Sequence, residues 1–224
     1  MSAQSSANAR AKPSAIIFDW DNTLIDSWET IHEALVMTFE EMGHKPWTLA
    51  ETKRRVSHSL KNSFPNLFGA RWDEARKIYL ESYAAIHLDR IAPIPGAEAL
   101  LRDLRSRGFH LAVVSNKTGA SLRTEAAHIG WAGYFARMIG AGDASHDKPD
   151  PAGFRLALEG SGIALGRGVW YVGDTALDME SARAAGTTGV LLGEPHGSAE
   201  DLAKFPPDLR FPGCDSLRQF LLSL

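Results

Sequence analysis

Two aspartates, Asp19 and Asp21, flank Trp20 directly after the apolar run Ala15-Ile16-Ile17-Phe18. In extended chain, alternate side chains share a face, so the two carboxylates point one way and Trp20 the other. Three further polar sets follow the same rule of placement. Ser115, Asn116 and Lys117 end the run that starts at His110; Asp147-Lys148-Pro149 fixes a lysine just before a helix started by Pro151; and Gly173-Asp174-Thr175-Ala176-Leu177-Asp178 follows Gly168 to Val172. Asp174 and Asp178 stand four apart across a turn into a helix, so they can converge on one point. Four carboxylates aimed at one place repel one another unless a cation neutralises them. Hard oxygen ligands favour magnesium over zinc. A lysine with a Ser/Asn pair suits an anion that carries several acceptor oxygens, such as a phosphoryl group.

The elements that must hold these residues alternate along the chain. The runs 15–18, 110–115, 168–172 and 188–192 are short and continuously apolar, as expected of strands buried on both faces. Helical patterns separate them at 96–107, 118–129, 151–159 and 176–185, and Gly108, Gly130, Gly160 and Gly186 sit where C-terminal caps belong. Strands joined through single helices predict an α/β fold, a doubly wound parallel sheet whose site forms at the carboxyl ends of the strands. Residues 27–92 break the alternation. They carry only helical patterns (28–42, 49–56, 71–88), which predicts a small all-helical cap above a core of residues 14–26 and 93–224. Residues 1–13 are rich in Ser, Ala and Asn without an acidic side chain, and are expected to be a disordered tail.

Composition narrows the class. The 224 residues carry 44% apolar and 23% charged side chains and a net charge of −3, so any anion must be held by local groups, and nucleic acid is not an expected partner. No apolar run reaches the roughly 18 residues of a membrane helix, so no membrane association is expected. The single cysteine, Cys214, fits a reducing compartment and a cytoplasmic location, and the chain is expected to be a monomer or homodimer.

In their order, the four motif segments resemble the haloacid dehalogenase (HAD) superfamily of phosphatases, in the branch with a helical cap after the first strand, and most of all its phosphoglycolate-phosphatase-like members. The resemblance spans about residues 15–192. It implies a hydrolase of phosphoric monoesters acting on a small phosphorylated metabolite with Mg2+. Asp19 matches the nucleophile that becomes an aspartyl-phosphate, and Asp21 the general acid and base. Ser115 and Asn116 match the phosphate-binding pair, and Lys148 the lysine that neutralises nucleophile and phosphoryl oxygens. The implied metal ligands are Asp19, the backbone carbonyl of Asp21, and Asp174, with Asp178 behind them or bridging through water. Thr23 matches a residue that supports the first loop.

Two positions depart from the family pattern. Asn22 replaces the usual glycine, and asparagine is the non-glycine residue that best tolerates a left-handed turn. Trp20 is bulkier than the common Leu or Met and is expected to pack away from the site. Within the cap, Arg55, His58 and Lys61 are candidates for selecting the substrate. Three other functions share the architecture. A haloalkanoate dehalogenase needs neither the second acid nor the metal, which the intact motifs argue against. A phosphomutase typically shows Glu-Asp where this chain has Gly173-Asp174. A non-catalytic binding protein would not need every charged motif residue.

Overall fold

The structure is a computed structural model and describes residues 12–56, 59–196 and 199–224; the expected tail falls almost wholly outside them. Six strands form one parallel sheet: β1 (Ala15–Phe18), β4 (His110–Thr118), β5 (Arg137–Ala141), β6 (Val169–Thr175), β7 (Thr188–His196) and β8 (Leu209–Phe211), in the order β5-β4-β1-β6-β7-β8. Chain order reverses at β1, which lies between β4 and β6 and pairs with both through all four of its residues. The switch point of the sheet, where an open α/β fold leaves a crevice, therefore falls at Asp19.

β1 is buried on both sides because its alternate residues feed two cores. Ile16 and Phe18 pack with Val113, Trp170 and Val172 beneath α5 (Ala97–Ser106) and α10 (Cys214–Leu222). Ala15 and Ile17 pack with Ala112, Val114 and Tyr171 beneath α7 (Ala152–Leu158) and α8 (Ala176–Ala185). Each large apolar side chain so enclosed contributes about 1.5 to 3 kcal/mol. α6 (Gly119–His128) returns the chain from β4 to β5, and the short α9 (Ala199–Lys204) precedes β8. The expected caps Gly108, Gly130, Gly160 and Gly186 all have positive φ, between 69° and 77°.

The segment between β1 and α5 is helical. It holds α1 (Trp28–Glu41), α2 (Leu49–Arg55), α3 (Leu60–Phe68) and α4 (Trp72–Ile86), packed round a separate apolar cluster that includes Ile31, Leu35, Phe39, Phe64 and Phe68. The two chain passages into and out of it form an antiparallel ribbon, with β2 (Ile25–Asp26) against β3 (Ala92–Pro93). Within this segment, α3 is the helix that the sequence pattern does not predict. Pro65 lies inside it and removes one backbone donor, while Phe64 and Phe68 bury one apolar edge that holds the turn.

Candidate active site

The four polar sets converge where the strands end. Asp19 follows β1, and its Oδ2 lies 3.0 Å from Lys148 Nζ. Lys148 reaches there from the loop after β5. Its backbone N–H donates to Asn116 Oδ1 at 3.0 Å, and its ammonium donates to Asp178 Oδ1 at 2.8 Å and to the Tyr171 hydroxyl at 2.9 Å. Asp178 owes its position to a capping box at the start of α8. Thr175 accepts from the Asp178 backbone N–H, while Asp178 Oδ2 accepts from the Thr175 N–H at 3.0 Å and from its hydroxyl at 2.6 Å. A side chain at Gly173 would collide with Asp178, so glycine is required where strand and helix approach.

Asp19, Asp174 and Asp178 are buried and offer oxygens within 4.8 Å of one another. Asp174 Oδ1 accepts from the Thr23 hydroxyl at 2.8 Å, but its Oδ2 is buried without a partner. An orphaned carboxylate oxygen in a buried acidic cluster has the chemistry of a cation ligand. The donor set fits a hard divalent ion: Asp174 keeps one oxygen without a partner, whereas Asp19, which accepts from the Trp20 N–H at 2.7 Å and faces Lys148, is engaged on both oxygens, as is Asp178.

Crowding of these acids sets their proton affinities. Burial pushes the Asp19 carboxyl up to about 6, with Lys148 opposing it and Asp178 adding to it. Asp174 is raised well above the usual carboxylate range by burial, then by Asp178 and Asp19. At Asp178 burial also pushes upward, but the Lys148 ammonium and the Thr175 donors outweigh it and hold the group below its ordinary value.

Asp21 faces a different set of partners. Its Oδ1 lies 2.5 Å from the Ser27 hydroxyl and 2.9 Å from Lys117 Nζ, outside the three-carboxylate cluster. Asn22 is the only non-glycine residue with positive φ among the described residues, at 60°, and its Oδ1 accepts from the Ser27 N–H. Trp20 is fully buried against Trp131 and Phe135. Its environment is not purely apolar, because the indole N–H donates to Glu125 at 2.7 Å.

A cavity of about 120 Å³ opens above Asp19, lined by Asp21, Ser115, Asn116, Lys148 and Asp174 from the sheet side. The helical segment closes it with Ile31, Val56, Leu60, Tyr79, Leu80 and Tyr83. Every core residue singled out in the sequence is thus brought to one place. The cap candidates are not. Arg55 is exposed and lies over the Trp47 ring at 5.0 Å, Lys61 is exposed on an adjoining cavity, and His58 lies outside the described residues. Sequence reasoning assigned no role to Lys117, Tyr83 or Glu125, whose position at the site depends on contacts between distant elements.

Fold and site define a class: a doubly wound α/β core with buried aspartates at the switch point and a helical cap inserted after the first strand. Residues 16–192 match the family model of haloacid dehalogenase-like hydrolases, and the chain belongs to that family. It is 32% identical over 210 residues to a phosphoglycolate phosphatase of Rhodospirillum rubrum, covering 86% of this chain and 87% of the relative. It is 29% identical over 198 residues to the pyrophosphatase PpaX of Listeria monocytogenes, covering 88% and 91%. A haloacid dehalogenase-like hydrolase structure from Bacteroides fragilis superposes with a TM-score of 0.83 at 26% identity, covering 92% of this chain and all of the other.

Proposed function

We propose that the protein is a magnesium-dependent phosphatase that hydrolyses a small phosphomonoester through an aspartyl-phosphate on Asp19. The observation that carries this reading is the buried, unpartnered Asp174 Oδ2 within a three-carboxylate cluster that also holds Lys148. Relatives named as phosphoglycolate phosphatases and pyrophosphatases support the phosphoryl group as the target. Asp19, Asp174 and the backbone carbonyl of Asp21 would hold Mg2+, which supplies positive charge beside the phosphoryl oxygens.

Asp19 attacks phosphorus while the ester P–O bond breaks, giving an acyl phosphate and an alkoxide leaving group. Lys148, fixed by Asp178 and Asn116, faces the nucleophile and a phosphoryl oxygen and offsets the charge that gathers there. Ser115 and the Asn116 backbone orient the remaining oxygens. Asp21 gives its proton to the departing alkoxide, then takes one from the water that attacks the acyl phosphate. That second step releases inorganic phosphate and returns Asp19 to its carboxylate. The residues closing the cavity from the cap are apolar or aromatic, which suits exclusion of bulk water during both steps.

The test separates the two acids. An alkoxide is a strong base and needs the proton of Asp21, whereas nitrophenolate leaves without it. Asp19→Asn should abolish phosphoenzyme with both alkyl and nitrophenyl phosphates. Asp21→Asn should lose alkyl phosphate turnover by ~10² to 10⁴-fold, yet release about one nitrophenolate per enzyme in a burst before a slow steady rate. Rapid mixing with acid quench reads both. Phosphoenzyme on Asp19→Asn, or wild-type alkyl turnover by Asp21→Asn, would overturn the assignments.

A further inference from the structure

Glu125 stands in α6 beside Leu122 and Ala126, both part of the core, and is only 1% exposed. A carboxylate is costly to bury there, so its partners carry the explanation. They come from three places. Oε2 accepts from the indole N–H of Trp20 at 2.7 Å. Oε1 accepts from Lys117 Nζ and the Tyr83 hydroxyl, each at 2.9 Å, and lies 2.8 Å from His87 Nδ1. These bonds outweigh burial and hold the Glu125 carboxyl down to about 2, so the group is an anion at any working pH.

The partners share one relation to the chemistry. Trp20 separates Asp19 from Asp21 in the chain. Lys117 Nζ lies midway between two carboxylates, 2.9 Å from Asp21 Oδ1 as well as 2.9 Å from Glu125. Tyr83 belongs to α4 and His87 caps that helix, so both move with the helical segment. A contact that served only to fasten that segment would need Tyr83 and His87 alone. The Trp20 and Lys117 arms run instead to the loop that carries the two aspartates.

We propose that Glu125 is a positioning residue that sets Asp21 through Lys117 and Trp20, and that Tyr83 and His87 make this setting depend on the seating of the helical cap. The inference rests on the acid/base reading of Asp21 given above. With the cap seated, Oε1 has all three of its partners, and the Lys117 ammonium is held where it also contacts Asp21. With the cap lifted, Tyr83 and His87 withdraw, and Lys117 and Trp20 share Glu125 without the two groups that fix its orientation. General acid catalysis is thereby coupled to closure, and an open, wet site is left with a poorly placed acid.

The experiment compares Glu125→Gln, His87→Leu and Asp21→Asn with the parent protein on an alkyl phosphate and on p-nitrophenyl phosphate, with thermal melts as the folding control. Glu125→Gln keeps the shape but cannot accept from both Trp20 and Lys117. It is expected to lose about 10²-fold in kcat on the alkyl ester, the scale of a misplaced catalytic group, with KM nearly unchanged and the nitrophenolate burst retained. His87→Leu, remote from the cavity, is expected to show a smaller loss with the same preference between esters. If Glu125→Gln fails to fold, His87→Leu decides alone. Equal losses on the two esters, a change in KM only, or no loss would overturn the proposal. If Asp21→Asn discriminates between the esters and neither other variant does, only this inference falls. If Asp21→Asn treats both esters alike, the acid/base reading fails and this inference with it.

Discussion

Removing the metal should reverse the usual pH dependence of stability. The Asp19 carboxyl is pushed up to about 6 from an ordinary 3.8, chiefly by burial. A group with a raised folded pKa binds protons more tightly when folded, so the stability it contributes is complete below 3.8 and is lost as pH rises through 6. Between pH 5 and pH 7.5 the two titration curves diverge by roughly one pKa unit, or about 1 to 2 kcal/mol. For a chain of this size that is about 3 to 6 °C in melting temperature. Asp174, raised for the same reasons, adds to the effect. Asp178 and Glu125, both held low, titrate below this window and leave it flat. His196, held below its ordinary value by burial and Lys53, acts in the opposite direction near neutrality. In excess chelator, the protein should therefore melt higher at pH 5 than at pH 7.5, and Asp19→Asn should remove a share of the difference on the order of the figure above. Magnesium should raise the melting temperature most at pH 7.5, where the carboxylates are ionised and unneutralised. Scanning calorimetry across pH, with chelator or with Mg2+, reads all of these. A slope in chelator that Asp19→Asn leaves unchanged would refute the argument.

Three further outcomes are expected. Lys148→Met leaves Asp19 and Asp178 buried without their shared cation, so it should abolish phosphoenzyme formation and cost about 3 to 5 kcal/mol in denaturant melts of the metal-free protein. Asn22→Ala places a Cβ-bearing residue without a turn-forming side chain at a φ of 60°, which should cost about 1 to 2 kcal/mol, whereas Asn22→Gly should stay within about 1 kcal/mol of the parent. Lys117 and Lys148 are the described cavity residues that bear positive charge, and both are paired with carboxylates. A small phosphate ester of an uncharged alcohol should therefore exceed phosphoglycolate in kcat/KM; a preference for phosphoglycolate in a substrate panel would show that its carboxylate finds another cation.

The convergence of the strand-end polar residues was legible because they sit at fixed offsets from strands that announce themselves. Ala15 to Phe18 is apolar without interruption, so Asp19 is recognisable as the first residue past a buried strand, and Asp174 stands one glycine beyond the apolar run ending at Val172. Asp178 follows from local chemistry, since Thr175 three residues earlier makes the capping box that turns it toward Lys148. Asn22 was readable for a related reason: a turn immediately after Asp21 needs a residue tolerant of positive φ. β5 and β8 were not legible, because each is short and carries an arginine, which hides an apolar period. α3 was hidden by Pro65.

The placement of Arg55 and Lys61 away from the cavity was hidden for a deeper reason. Arg55 and Lys61 attract attention because charged residues near a loop resemble ligand-binding groups, yet both are exposed and neither lines the cavity above Asp19. Glu125 attracts none, because a glutamate within a helical pattern is expected on the solvated face. Its burial depends on Trp20, Tyr83 and His87, which lie 105, 42 and 38 positions away in the chain. Local periodicity carries the distance of a residue from its own strand or helix end, and that suffices where one element supplies each group. It carries nothing about a charge whose low energy in the core comes from donors on three other elements. The residues that couple cap to core are of this kind, since a side chain can report the seating of one body on another only by touching both.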